Sequence, residues 1–297
     1  MNSAARLVGQ DALLAKGWWG AHRWLALRRV SQFALLALFL LGPWFGWWIV
    51  KGNLNYSLTL NTLPLTDPLV LAQSLAAGHL PQRSALTGVA IVLIFYLLVG
   101  GRSYCAWVCP VNIVTDAASV LRRRLGIRGG GELPRSTRYY VLAMVLLLSA
   151  ASGRIVWEAV NPVSMLHRGL LFGMGAGAAW IVAIFLADLF VVKRGWCTHL
   201  CPVGACYSLL GRFSVLRVSA NRRQDCNDCL DCYAVCPEQQ VLRQPLKGQA
   251  KGVGPLILSP NCSNCGRCID VCAKDVFTFS TRFDRSQTGV ARAPARR

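Results

Sequence analysis

Acidic residues are scarce in this chain: 13 Asp and Glu stand against 32 Lys and Arg, and only 15% of its 297 residues are charged. Soluble domains carry roughly a quarter charged residues, so the deficit excludes an ordinary water-solvated globule. With 54% hydrophobic residues and a mean hydropathy of +0.41, the expected main solvent is a bilayer. Histidine is also sparse. His22, His79, His167 and His199 all fall outside the long apolar stretches and no C-x-x-C-H occurs, so no haem is expected between the spans. The Gly129-Gly130-Gly131 run lacks the Lys-Ser/Thr ending of a phosphate-binding loop and reads as a linker. The first 29 residues lack a signal-peptide pattern, and Arg28-Arg29 lacks the flanking residues of a twin-arginine signal.

Long uncharged runs are present. Residues 30–50, 85–101, 139–157 and 170–192 read as four spans, the first closing on Trp44, Trp47 and Trp48, a composition suited to a membrane interface. Gly173 and Gly177 give the last span a small-xxx-small surface. The basic residues are unevenly placed. Arg6, Lys16, Arg23, Arg28 and Arg29 precede span one, and Arg102, Arg122, Arg123, Arg124, Arg128, Arg135 and Arg138 follow span two. The other two loops hold only Lys51 with Arg83, and Arg154 with Arg168. The positive-inside rule therefore sets both termini in the cytosol. The net charge of +19 then falls on cytosolic segments, where anionic lipid and cluster neutralisation account for it without nucleic acid. The expected architecture is an α-helical membrane protein with four transmembrane helices plus a small α+β ferredoxin-like module. Residues 1–29 form an amphipathic cytoplasmic segment, 30–192 the membrane domain and 193–297 the cytoplasmic module with its tail.

Thirteen cysteines in a secreted miniprotein would suggest disulfides; here twelve fall into short-range groups with metal-ligand spacing, and reduced thiols are expected. Cys226, Cys229, Cys232 and Cys236 follow C-x2-C-x2-C-x3-C with Pro237 behind, and Cys262, Cys265, Cys268 and Cys272 repeat it with Ala273 in place of the proline. In this pattern three thiolates hold one cubane and the fourth crosses to the other. Two [4Fe–4S] clusters are expected, one on Cys226, Cys229, Cys232 and Cys272, the other on Cys262, Cys265, Cys268 and Cys236. Zinc also binds paired C-x2-C, but three close cysteines plus a fourth, twice over, exceed a tetrahedral site. Two further motifs, Cys105-Ala-Trp-Val-Cys109-Pro110 and Cys197-Thr-His-Leu-Cys201-Pro202, follow spans two and four as an internal repeat. Their four thiols could serve a third metal site, a redox dithiol pair or packing. Cys206 reads as a packed thiol.

These residues together resemble a known family, the NapH-type ferredoxin-like membrane subunit of the periplasmic nitrate reductase system. The likeness covers nearly the whole chain. It includes Lys16-Gly-Trp-Trp, Gly42-Pro-Trp-Phe-Gly, Pro64-Leu-Thr-Asp-Pro68, Gly78-His-Leu-Pro81, both C-x3-C-P motifs, Trp157-Glu with Asn161-Pro-Val-Ser164, and the two tail motifs. The resemblance implies a quinol dehydrogenase in the bacterial inner membrane. Such a protein passes electrons from membrane quinol, through a separate periplasmic ferredoxin subunit of the NapG type, towards nitrate reductase. An alternative class pairs spans with a polyferredoxin and C-x3-C-P motifs and acts as a metal reductase or oxidase-assembly factor. Those proteins typically extend into a further carboxy-terminal domain, which is not expected after Cys272 here. Quinol oxidation releases two protons and asks for a titratable group near the membrane surface. Among Asp67, His79, Glu158 and His167, the expected acceptors are His79 and Glu158, each close to the end of a span.

Overall fold

The computed structural model describes residues 8–127, 129–131, 133–173 and 175–284. Its first helix, α1 (Gln10–Phe45), is 36 residues long, interrupted at Gly17, and among the described helices it alone is long and apolar enough to cross a membrane unaided. A three-stranded antiparallel sheet follows, β1 (Val50–Gly52), β2 (Tyr56–Thr59) and β3 (Leu63–Thr66), with Val50 opposite Thr59 and Ser57 opposite Leu65. Leu60 and Asn61, at φ 50° and 57°, turn the chain between β2 and β3. Asp67 then caps α2 (Pro68–Ala76), its carboxylate accepting from the Leu69 N–H, and Pro68 occupies the first helical position, where its missing N–H costs nothing.

Three more apolar helices are shorter: α3 (Arg83–Val99), α6 (Thr137–Ser152) and α9 (Ala176–Leu186), the last continued by a π-turn over Ala187–Val191. Between α3 and α6 lie α4 (Ser103–Trp107) and α5 (Val111–Arg124). Between α6 and α9 lie α7 (Trp157–Val160) and α8 (Pro162–Phe172), the latter capped by Asn161. The helices differ from the hydropathy boundaries for local reasons. Residues 139–157 read as one apolar run, but Gly153 takes φ 64° and ends α6 there; residues 170–192 are divided because Gly173, at φ 105°, terminates α8. Gly177 lets α9 approach α8 closely: a Cβ there would lie 2.9 Å from the Met165 carbonyl oxygen.

After a second π-turn, Trp196–Leu200, α10 (Pro202–Gly211) leads into the tail module. Here β4 (Leu216–Ser219) pairs antiparallel with β5 (Thr278–Thr281), Val218 opposite Phe279, and the cysteine-bearing loops lie between these strands. With them run α11 (Asp231–Val235), α12 (Gln240–Lys247) and α13 (Arg267–Asp270), around a core of Val218, Leu242, Ile257, Ile269, Val276 and Phe277. The module is fastened to α1 by polar contacts: Asp270 accepts from the Trp24 and Leu25 N–H groups at 3.2 and 2.9 Å, and Lys16 Nζ donates to the Ile269 carbonyl at 3.1 Å.

Tight helix packing positions the cysteine motifs. A Cβ at Gly101 would stand 2.8 Å from the Gly211 Cα and closer still to the Tyr207 carbonyl oxygen, so only glycine lets the chain after α3 touch α10. Gly101→Ala is therefore expected to cost about 1–3 kcal/mol by overpacking, seen as a lower melting temperature of the detergent-solubilised protein. An unchanged melting temperature would show that the contact is slack.

Candidate iron-sulfur sites

Each tail repeat curls its backbone around its sulfurs in the same way. Asp228 and Leu230 in the first repeat and Asn264 and Gly266 in the second all take positive φ, two and four residues after Cys226 and Cys262 respectively. The alternation turns N–H groups inwards as an anion-binding concavity. The Cys226 sulfur faces the Asp228 N–H, Cys236 that of Glu238, Cys262 that of Asn264 and Cys265 that of Arg267. Cys226, Cys229, Cys232 and Cys272 line one cavity of ≈ 390 Å³; Cys236, Cys262, Cys265 and Cys268 line another of ≈ 360 Å³. The structure thus brings together both expected foursomes, with Cys236 and Cys272 exchanged between the repeats. Apolar walls, Val276 and Phe277 in the first and Val218, Leu242 and Ile257 in the second, keep water away.

All donors in each foursome are soft thiols, which suits iron–sulfur chemistry. Among the described residues no three His, Cys, Asp or Glu side chains are gathered as a single metal ion requires. Sulfurs spread around a void fit a cubane better than zinc. Burial and neighbouring cysteines push the Cys232 thiol up to about 12, and burial pushes Cys262 to about 11. Cys265 goes the other way: burial opposes ionisation, but the Arg267 and Arg28 guanidiniums outweigh it and hold the thiol below its usual value.

The C-x3-C-P motifs converge as well. Cys105, Cys109, Cys197 and Cys201 line a third cavity of ≈ 470 Å³, together with Asn55, Trp157 and Asn161. Cys206 lies apart from them, packed near Leu69, Val145 and Trp157.

Two buried carboxylates tie these sites together. Glu238, beside Cys236-Pro237, receives Arg102 Nη1 and, at 2.9 Å, Arg138 Nη1; all three side chains are at most 3% exposed. Arg102 also donates to the Asn261 carbonyl at 3.2 Å and the Cys197 carbonyl at 3.1 Å. On α5, Asp116 meets Arg267 at 2.5 Å, Arg29 at 2.6 Å, Arg194 at 3.4 Å and Arg28 at 3.7 Å. Burial alone would raise both carboxyls; the surrounding guanidiniums outweigh it and hold both below the usual carboxylate range.

Comparison with known proteins accords with this geometry. A family model described as a 4Fe-4S dicluster domain matches residues 225–276, and one described as a 4Fe-4S binding domain matches residues 84–128 and 173–221. The ferredoxin-type protein NapH of Haemophilus influenzae is 51% identical over 286 residues, covering 96% of this chain and 99% of the relative. The chain belongs to the NapH and MauN family of ferredoxin-type proteins. NapH of Escherichia coli is also 51% identical, over 95% of this chain and 98% of the relative. The methylamine utilization ferredoxin-type protein MauN of Methylorubrum extorquens is 50% identical, over 94% and 96%. No solved structure matches the chain.

The expected proton acceptors have different surroundings. His79 is exposed, its Nε2 3.0 Å from the Gly153 carbonyl oxygen. Glu158 is partly buried, accepts from Asn55 Nδ2 at 2.6 Å and faces Arg168 at 3.6 Å. Asp67 is more deeply enclosed: it accepts from the Tyr207 hydroxyl at 3.0 Å, and burial raises its carboxyl to about 6. Asp67 was among the titratable candidates in the sequence but not one of the two favoured, and nothing local to the sequence pointed to Glu238 or Asp116.

Glu238 generates a test. Its carboxyl titrates below the unfolded value, so its stabilisation is complete above the ordinary carboxylate range and is lost as pH falls through the folded-state value. Glu238→Ala leaves two buried guanidiniums unpaired and should cost about 3–5 kcal/mol at neutral pH. Glu238→Gln, which keeps an acceptor oxygen, should cost less. Thermal unfolding followed by tryptophan fluorescence checks the order, and equal melting temperatures for wild type and the alanine variant would refute it.

Proposed function

We propose that this chain is the membrane-bound iron–sulfur component of a quinol-oxidising electron-transfer system. The observation that carries the reading is the pair of closed cysteine foursomes in the tail, with their fourth ligands exchanged, fastened to an apolar helical assembly. The eight tail cysteines hold two [4Fe–4S] clusters, which when bound supply one-electron storage and release. In this reading α1, α3, α6 and α9 are the four spans, and the basic segments before α1, after α3 and after α9 face the cytosol of a bacterial inner membrane. The basic residues of those cytosolic segments support contact with anionic lipid headgroups.

Membrane quinol is the electron donor and gives up two electrons and two protons. Glu158 and His79 are the proposed proton acceptors. Glu158 Oε1 has no hydrogen-bond partner, and the carboxylate's partner Asn55 lines the third cysteine cavity, whereas His79 presents its ring to solvent. The onward acceptor is a periplasmic ferredoxin subunit that leads to nitrate reductase. The near-equal likeness to a methylamine utilization protein supports a second destination for the same apparatus. Deleting the gene separates them by whether nitrate-dependent or methylamine-dependent growth is lost.

Two measurements test the core of the reading. In anaerobically purified protein, the electron paramagnetic resonance spectrum of Cys236→Ser should match that of Cys262→Ser and differ from that of Cys226→Ser, since Cys236 serves the second foursome. The opposite match would contradict the exchange. Glu158→Gln and His79→Ala should keep wild-type iron and sulfide yet slow quinol-driven bleaching by about a hundredfold, at the lower edge of general-base contributions. Unchanged rates at limiting quinol would remove those residues from the proposal.

Reporter fusions test the orientation. A cytosol-dependent reporter should be active after Arg297 and inactive near Asn61, and the reverse would overturn it.

A further inference from the structure

We propose that Cys105, Cys109, Cys197 and Cys201 hold a third [4Fe–4S] cluster, buried where the two sets of inter-span loops meet. The four thiols share one cavity, as does each of the tail foursomes. Its lining holds four thiols and no carboxylate or imidazole, and among the described residues no three such groups are drawn together as a single ion would need.

Both motifs reach this arrangement by the same backbone device. The Cys109 N–H bonds to the Tyr104 carbonyl at 3.0 Å and the Cys201 N–H to the Trp196 carbonyl at 2.9 Å, each an i→i−5 closure. Such a turn is wider than an α-helical one, so cysteines four apart stack on one face. The prolines then start α5 and α10, whose first N–H groups lack an i→i−4 helical partner. Those of Val111 and Asn112 point at the Cys109 sulfur, and those of Val203 and Gly204 at the Cys201 sulfur. In the tail, Cys236-Pro237-Glu238 has the same form, the Glu238 N–H facing the Cys236 sulfur. Three Cys-Pro corners thus aim the N–H two residues on at a sulfur, each on a four-thiol cavity.

The location gives the site its role. Its cysteines come from the segments after α3 and after α9, whereas Asn55, Trp157 and Asn161 reach it from the segments between α1 and α3 and between α6 and α9. One guanidinium, Arg102, touches the carbonyls of Cys197 and of Asn261, the residue before Cys262. The third site therefore adjoins the second tail foursome on one side and the opposite loops on the other. If the topology proposed above holds, on which this role but not the cluster itself rests, it is the way through the membrane domain. Two electrons leave the quinol and pass singly, each reducing the cubane by one and leaving it when an iron–sulfur partner is reduced; the two protons go to carboxylate or imidazole and then to water.

The test is elemental and spectroscopic, on the full-length protein purified anaerobically in detergent. Three cubanes require about twelve iron and twelve sulfide per chain. Cys109→Ser/Cys201→Ser should lose about four of each while keeping the resonance signals that Cys226→Ser and Cys262→Ser remove. Cys206→Ala should lose none. Counting alkylatable thiols before and after iron chelation in wild-type protein gives the same answer without a variant: twelve become reactive on chelation. A wild-type content of eight iron, with Cys105, Cys109, Cys197 and Cys201 already alkylatable, would overturn the third cluster and leave the tail clusters standing. Zinc without sulfide at this site, or a disulfide among the four, would overturn it too. A content of four or less would instead bring down the tail reading.

Discussion

A buried carboxylate, Glu238, is the joint on which the arrangement of this protein depends. It follows a Cys-Pro corner of the tail module and is held by Arg102, just past α3, and Arg138, at the start of α6. The guanidiniums cannot be left in an apolar interior without an acid, and the acid cannot be left without them. The tail module therefore cannot slide against the helical part without exposing charges to a low dielectric. Because Arg102 also donates to the Cys197 and Asn261 carbonyls, the same constraint fixes the distance between neighbouring cysteine cavities. Asp116 repeats the device on the other side of α5, with four arginines around one carboxylate.

Those two knots leave positive charge in surplus inside the protein, and its distribution is uneven. Around Asp116 the excess lies against the second tail foursome: Arg267 Nη1 is 3.9 Å from the Cys265 sulfur. The first foursome instead has the exposed Asp228–Lys247 pair at its edge. Extra negative charge is easier to accept beside buried arginines than beside a neutral, solvated pair. The two tail sites, identical in cysteine spacing, are thus electrostatically unlike, and the one nearer the helical part is the more welcoming to an added electron.

Much of this was legible in the sequence, and what was not had a common cause. The tail foursomes followed from spacing, because ligand geometry is local in the chain apart from one exchanged residue. The apolar runs were legible through composition, but their ends were set by Gly153 and Gly173, whose positive φ no hydropathy average registers. The sheet over residues 50–66 lies between two such runs in strands of three or four residues, too short to show a period. The Glu238 and Asp116 knots join residues that are mostly about a hundred or more apart in sequence, so no window contains both partners. The four C-x3-C-P thiols were recognisable as a repeat, yet spacing alone left packing, a redox pair and a metal site open; the structure adds that one cavity collects all four.

The exchange of Cys236 and Cys272 has a consequence for how the protein is made. The first tail cavity is closed by a residue 40 positions beyond its third cysteine, and the second takes one ligand from the earlier repeat. The second foursome is complete once residue 268 has been made and the first only at residue 272, by which time all four apolar helices have been synthesised. Assembly of the tail ligand sets therefore follows synthesis of the whole helical part, and it is ordered: the thiols of the second site are all present four residues before those of the first.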